Sequence, residues 1–403
     1  MKAERHLATT FALALALAAG GAADVAPAAP KLEKLALMDS LDMANWCDVE
    51  TKEGCVKLVE DCLRPGSTGI LWRDKGGGGW MRYPSKEEVA PKTSEYVIEK
   101  RRNLPRFGAY WALRLDNLDF EVFPFVYEEC RRRNLAYGIH QTYEENHTSN
   151  HSQSQWTIEH PQFWNCALDG IPWPGHASLA YPEVMAHKLR FADEHIALKP
   201  QKIFIDMWRC GHWSLRWEYV KPNLDRWAAL YPGEPPPKDW KDDRWTRLCA
   251  ESTMAYLREY GRRCKAAGIQ LVIGLPEMDL KDDFAWRQYG LDWKLLMAEG
   301  TINGIWVMNA KYDPARAMES TREILAYVKS KCVNGGKAYF GVNWYPARGG
   351  GIARYAQLSG CTSAEATRRL MEMLSTLGYA GAVFECLDCH CYPKDVCEEL
   401  RKW

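Results

Sequence analysis

The chain has 403 residues, and its 52 Lys+Arg balance its 52 Asp+Glu, for a formal net charge of zero. That balance excludes the basic excess of a nucleic-acid-binding domain, while 47% hydrophobic and 26% charged residues mark a globular chain able to bury a large core. Trp (18) outnumbers Phe (11). A buried indole N–H needs a partner, so the excess points to flat rings that stack on ligands, sugars above all.

Residues 1–23 read as a secretory leader. Lys2 and Arg5 supply the basic start, residues 11–19 an apolar run, and Gly21-Ala22-Ala23 a small-residue cleavage site. The apolar run is shorter than the ~20 residues that span a bilayer, and no later stretch is long enough, so no membrane insertion is expected. Residues 24–31, rich in Ala and Pro, form a short linker, and residues 32–403 the catalytic domain. The expected location is secreted or periplasmic. In an exported chain the 14 Cys permit disulfides. The group Cys386, Cys389, His390, Cys391 and Cys397 has the look of a zinc site but lacks a matching second knuckle. The expectation is therefore no metal, and disulfides that pin the last loop, with the pairing left open.

In chain order, short apolar runs fall at 35–39, 69–73, 136–141, 202–206, 271–275, 304–309, 338–343 and 382–385. Amphipathic helical patterns separate them, among them 121–134, 246–267, 314–331 and 362–377. The last has Thr362 or Ser363 as N-cap and Gly378 just past its end. Alternating strand and helix predicts a parallel sheet, and eight units predict a single (β/α)8 TIM barrel with long βα loops. A doubly wound sheet is disfavoured because no GxGxxG follows the first strand. The glycine run 76–79 lacks the Lys-Ser/Thr of a phosphate loop, and no cofactor is expected.

Four long segments, 74–95, 142–182, 207–245 and 344–362, read as irregular. Each follows a strand and precedes a helix, which places them at the carboxyl ends of the strands, where barrels build their active sites. They carry many of the tryptophans, from Trp80 through Trp156, Trp173 and Trp227 to Trp344. These rings are either the rim of a sugar cleft or anchors for the loops themselves.

Polar residues ending apolar strands point into the mouth of the barrel, where burying them is costly unless they bind something. Asp39, Arg73, His140, Gln141, Asn309, Asn343, Trp344 and Glu385 are in such positions, and Tyr143, Trp208, Arg209 and His212 follow in the adjoining loops. Together they form the expected substrate-binding set. Two carboxylates are singled out for chemistry. Glycoside hydrolysis pairs an acid with a nucleophile or base, ~5 Å apart for retention and ~6.5–9.5 Å for inversion. Asp206 ends strand four and Glu277 ends strand five. Neighbouring strands lie ~4.8 Å apart, which allows the shorter separation, so Asp206 is assigned as nucleophile and Glu277 as general acid/base. Arg209 and the histidines 140, 147, 151, 176 and 212 would line the mouth with positive or switchable charge, suited to an anionic glycan. An ordinary polar loop surface is the other reading.

The segments Glu159-His-Pro-Gln-Phe-Trp164, Phe204-Ile-Asp-Met-Trp-Arg209 and Leu291-Asp-Trp-Lys-Leu-Leu-Met-Ala-Glu-Gly300 resemble the glycosyl-hydrolase barrels related to the α-galactosidase superfamily. The resemblance implies a glycosidase whose strand-four Asp, here Asp206, is a catalytic carboxylate. Chain length and the Asp-then-Glu order are similar to glycoside hydrolase family 168, which implies a retaining endo-α-1,3-fucanase acting on sulfated fucan. Gln162 stands where these families usually have an acid, so no role is carried to it. Relatives that cut peptidoglycan glycan strands or poly-N-acetylhexosamine are the alternative. A non-catalytic carbohydrate-binding barrel is the alternative from another class. A metal-dependent hydrolase would want His-x-His after the first strand, which offers Asp39 and Asp42 instead.

Overall fold

Eight strands, short and buried on both faces, pair in parallel and close on themselves. They are β1 (Glu33–Met38), β2 (Gly69–Arg73), β3 (Ala136–Thr142), β4 (Lys202–Asp206), β5 (Gln270–Pro276), β6 (Gly304–Met308), β7 (Lys337–Val342) and β8 (Gly381–Glu385). Each pairs with its neighbours in sequence order, and β8 returns to β1. The computed structural model describes residues 31–38, 51–76, 80–81, 85–87, 119–143, 154–207, 214–277, 279–308, 318–342, 352–385 and 392–403. Within it Leu32–Trp403 form one unit.

A helix follows each strand: α1 (Lys52–Leu63), α2 (Val122–Arg132), α3 (Pro182–Ala197), α4 (Asp243–Ala266), α5 (Trp293–Ala298), α6 (Met318–Lys331), α7 (Ser363–Thr376) and α8 (Lys394–Arg401). The expected (β/α)8 barrel is therefore the observed one. Local chemistry fixes the helix starts. Thr51 accepts from the Gly54 N–H, Asp242 from Arg244 and Trp245, Asp292 from Leu295, and Thr362 from Glu365. Each satisfies a backbone donor that the first turn leaves orphaned. The Asp242 cap explains why α4 begins three residues before the apolar pattern does.

Period-two alternation divides the core in two. Leu35, Leu37, Leu71, Phe204, Val272, Trp306, Tyr339 and Val383 form the cluster inside the barrel. The intervening residues, such as Ile70, Ile139, Ile203 and Ile273, pack outward against the helices. Trp306 is the largest inward side chain, and β5 and β7 make room for it. A Cβ on Gly274 would sit 2.6 Å from its ring, and one on Gly341 2.8 Å from its Nε1.

The amino-terminal end of the barrel is closed by charge. Lys202 pairs with Glu33 and lies 3.3 Å from the Tyr339 hydroxyl, and Lys337 reaches Glu33 at 3.5 Å. Burial pulls the Lys202 ammonium below its usual range, and the Glu33 hydrogen bond opposes that shift.

The insertions are more ordered than the sequence indicates. The 142–182 segment holds a helix (Gln155–Glu159), a 3-10 turn (Pro161–Phe163) and a hairpin of Trp164–Cys166 with Pro172–Ala177. The 207–245 segment holds a 3-10 turn (Leu215–Trp217) and a helix (Lys221–Leu230), and 344–362 holds Ile352–Ser359. These elements are too short for a period to show. One buried carboxylate joins two of the insertions. Glu218 accepts from Asn165 Nδ2 (2.7 Å), Ser178 Oγ (2.6 Å) and Asn223 Nδ2 (3.3 Å).

The cysteines expected to pair are in part accounted for. Cys130, Cys166, Cys249, Cys264, Cys332 and Cys361 are free thiols. Burial raises Cys130 and Cys264 to about 12, which makes them poor nucleophiles. Cys386, Cys389 and Cys391 lie outside the described residues. No helix among the described residues is long and apolar enough to cross a membrane.

Candidate active site

Asp206 is the last residue of β4 and is fully buried. It shares the inward face with Phe204, two residues earlier, so its carboxylate projects into the barrel. His140 of β3 meets it there: Nε2 lies 3.4 Å from Asp206 Oδ2, and both side chains are 0% exposed. The imidazole is also edge-on to Trp306, with ring centroids 5.5 Å apart at 84°. The register explains this meeting. Thr142, Asp206, Gly274 and Trp306 lie in one row across four strands. With no side chain on Gly274, the indole reaches across β5 toward the β3–β4 side. The row thus sets an acid and an aromatic wall two strands apart.

Glu277 follows β5 directly, and its side chain is 3% exposed. Its backbone N–H donates to the Met308 carbonyl at 3.1 Å, continuing the ladder to β6 by one bond. Asp206 and Glu277 do not lie in one row of the barrel. Asp206 pairs with Gly274, so Glu277 is three residues further along, about 10 Å of extended chain. Strand adjacency alone therefore does not bring the two carboxylates level. A second acid in that loop, Asp279, is also buried and accepts from the Tyr289 hydroxyl at 2.7 Å. The spacing Glu277-Met-Asp279 just past a strand was the available signal for it.

The expected substrate-binding residues divide into three groups. Arg73 shares the inward face with Leu71 and is buried, and Glu385 shares the face of Val383 and is half-buried. Both fit the mouth. Gln141 and Tyr143 do not, because they have the parity of Tyr137 and Ile139, which face the helices. Both are buried. The Tyr143 ring packs 5.7 Å from Tyr256 of α4, with Lys188 of α3 4.6 Å above it. His140 is fully enclosed and faces Asp206, which makes it a neighbour of the acid rather than a surface for sugar. Asp39, Trp208, Arg209, His212, Asn309, Asn343 and Trp344 lie outside the described residues.

The tryptophans of the insertions, where described, hold those insertions together. Trp156 stacks on His187 of α3 (4.0 Å, 10°) and on His160 (4.4 Å, 20°). Trp173 stacks on His176 (4.0 Å) and leans on Trp217 (4.9 Å). Trp227 is buried with Tyr219 and Trp245 in a small core of its own. These contacts fit the anchoring alternative, and His176 takes part in one of the stacks. Among the described residues no group of three His, Cys, Asp or Glu is placed to hold a metal ion.

No family model matches the sequence, and no match was found among curated proteins. Solved structures do match in three dimensions. The PgaB (BpsB) glycoside hydrolase domain from Bordetella bronchiseptica superposes with a TM-score of 0.59 at 12% identity, covering 92% of this chain and 98% of that one. The chain is a TIM barrel. α-L-Fucosidase isoenzyme 2 from Paenibacillus thiaminolyticus follows with a TM-score of 0.52 at 12% identity, over 92% of this chain and 48% of that one. At such identities the likeness is one of fold. In this barrel Asp206 ends β4, inside a sheet whose carboxyl-terminal loops are the elaborated ones.

Proposed function

We propose that the protein is a glycoside hydrolase that cleaves a polysaccharide, with Asp206 as nucleophile and Glu277 as general acid/base. One observation carries the reading: a buried carboxylate at the carboxyl end of β4 faces an imidazole edge 3.4 Å away, at the end of the barrel where such folds do chemistry. A buried acid has a high desolvation cost, which a ligand that uses it at the mouth would offset. Asp206 would attack the anomeric carbon while Glu277, protonated, delivers its proton to the leaving oxygen. Water activated by the same Glu277 then releases the sugar. His140 orients the Asp206 carboxylate for this attack.

The finer reading is a secreted enzyme that acts within an anionic glycan such as sulfated fucan. It is supported by the resemblance to the α-1,3-fucanases and by the fold shared with a fucosidase. Peptidoglycan strands and poly-N-acetylhexosamine belong on the same substrate panel. The test is incubation of the full-length mature protein with sulfated fucan, chitin oligosaccharides and peptidoglycan strands, with sizing of the products and assignment of the newly formed anomer. Mid-chain cuts with a retained anomer support the proposal in full. An inverted anomer keeps the hydrolase and removes the nucleophile role. A glycan that binds and is never shortened replaces the enzyme with a carbohydrate-binding barrel.

A further inference from the structure

Another buried acid stands behind the site, on the opposite face of the sheet. Asp74 follows β2 directly. Arg73 shares the inward face with Leu71, so Asp74, one residue on, points out toward the helices. It is 0% exposed. Its Oδ2 lies 3.2 Å from His195 Nε2 of α3, and His195 Nδ1 lies 2.9 Å from the Tyr260 hydroxyl of α4. His195 and Tyr260 are equally enclosed. The His195 ring stands between the Asp74 carboxylate and the Tyr260 hydroxyl. The chain of contacts thus runs from α4 through α3 to the end of β2.

The other side of Asp74 meets β3 at the level of the site. Its Oδ1 accepts from the Thr142 N–H at 3.2 Å. Its own N–H donates to the His140 carbonyl at 2.9 Å. The β2–β3 register runs only as far as Arg73 and His140, so Asp74 extends the ladder past its last paired residue. One bond is made at the backbone of His140 and the other two residues further on. His140 is the residue whose ring must stay beside Asp206.

A cross-link needed for packing alone is served at least as well by apolar side chains. An acid backed by an imidazole and a phenol fixes a direction as well as a distance. We propose that Asp74, held by His195 and Tyr260, is a positioning residue that locks the end of β3 and so keeps the His140 ring against Asp206. The role in catalysis rests on the reading of Asp206 given above, whereas the geometric effect on His140 does not.

The test uses the full chain with 15N-labelled histidine, the His140 ring signals being assigned by their loss in His140→Gln. Asp74→Ala removes both side-chain contacts and is expected to move the His140 ring signals toward those of a free imidazole. On the glycan the wild type cleaves, its kcat falls roughly 10- to 100-fold while KM stays the same. Asp74→Asn keeps the acceptor for Thr142 and is expected to restore both the signals and most of the rate. Tyr260→Phe, which deletes one hydroxyl, shifts the same signals in the same direction by less, and keeps the test open should Asp74→Ala not fold. Unchanged His140 signals in a folded Asp74→Ala, or in Tyr260→Phe, would overturn the proposal. Equal losses in the Asn and Ala variants would also do so. If the wild type cleaves no glycan, the hydrolase reading fails, and the histidine signals still decide the positioning role.

Discussion

The two ends of the barrel both bury charge, and they do so to different effect. At the amino-terminal end Lys202 and Lys337 converge on Glu33, with the Tyr339 hydroxyl alongside. Each residue finds its counter-charge in the same layer. At the carboxyl-terminal end Asp206 faces an imidazole and Glu277 and Asp279 are acids in the next loop. The first arrangement closes the barrel, and the second is the one proposed above to act on a ligand. Buried charge alone is therefore a poor guide to function. What distinguishes the mouth is that it lies where the elaborated loops follow the strands.

That comparison predicts opposite responses to substitution at the two ends. The largest effect is expected at the mouth, where Glu277→Gln keeps the shape and removes the proton. Its turnover should fall roughly 10²- to 10⁴-fold with an unchanged melting temperature, read by product release and thermal denaturation in parallel. Equal loss of stability and activity would erase the distinction between the ends. At the closed end Lys202→Met is expected to cost about 2–3 kcal/mol, because Glu33 loses a partner in a partly buried layer, while turnover is unchanged. Denaturant unfolding measures the first and the glycan assay the second. A loss of turnover there would show that the floor communicates with the mouth.

The smallest effect is on the outer surface. Hydrogen bonds from Arg262 and Arg263 hold the Glu259 carboxyl down at about 2. A carboxylate depressed on folding stabilises at pH above its unfolded range and loses that contribution as pH falls through about 2. The group is partly exposed, so solvent screening limits it to about 0.5 kcal/mol. Glu259→Gln should therefore lower stability slightly at pH 7 and not at all once the pH is well below about 2. A larger change would show that surface pairs compete in weight with the buried layers.

Much of the barrel was legible because its strands are short apolar runs flanked by capped helices. Gly69–Arg73 and Lys202–Asp206 coincide with their sequence assignments, and the other six differ by one or two residues at one or both ends. Asp206 was legible for the same reason, as the first polar residue after Ile203-Phe-Ile205. Tyr143 was misplaced because loop position was given more weight than strand parity, and parity turns it toward α3 and α4. The insertions were opaque because their elements run from two to ten residues and are held by contacts such as Glu218 with Asn165 and Ser178. Asp74, His195 and Tyr260 were invisible singly. They meet only because β2, α3 and α4 converge, and no local pattern encodes that convergence.

The central claim is that Asp206 is the group that attacks the glycan. Its most direct test is the turnover of Asp206→Asn on the glycan that the wild type shortens, with melting temperature recorded on the same sample. The account predicts a loss of roughly 10³-fold or more in a protein that melts as the wild type does. Turnover close to wild type in that folded variant would contradict it.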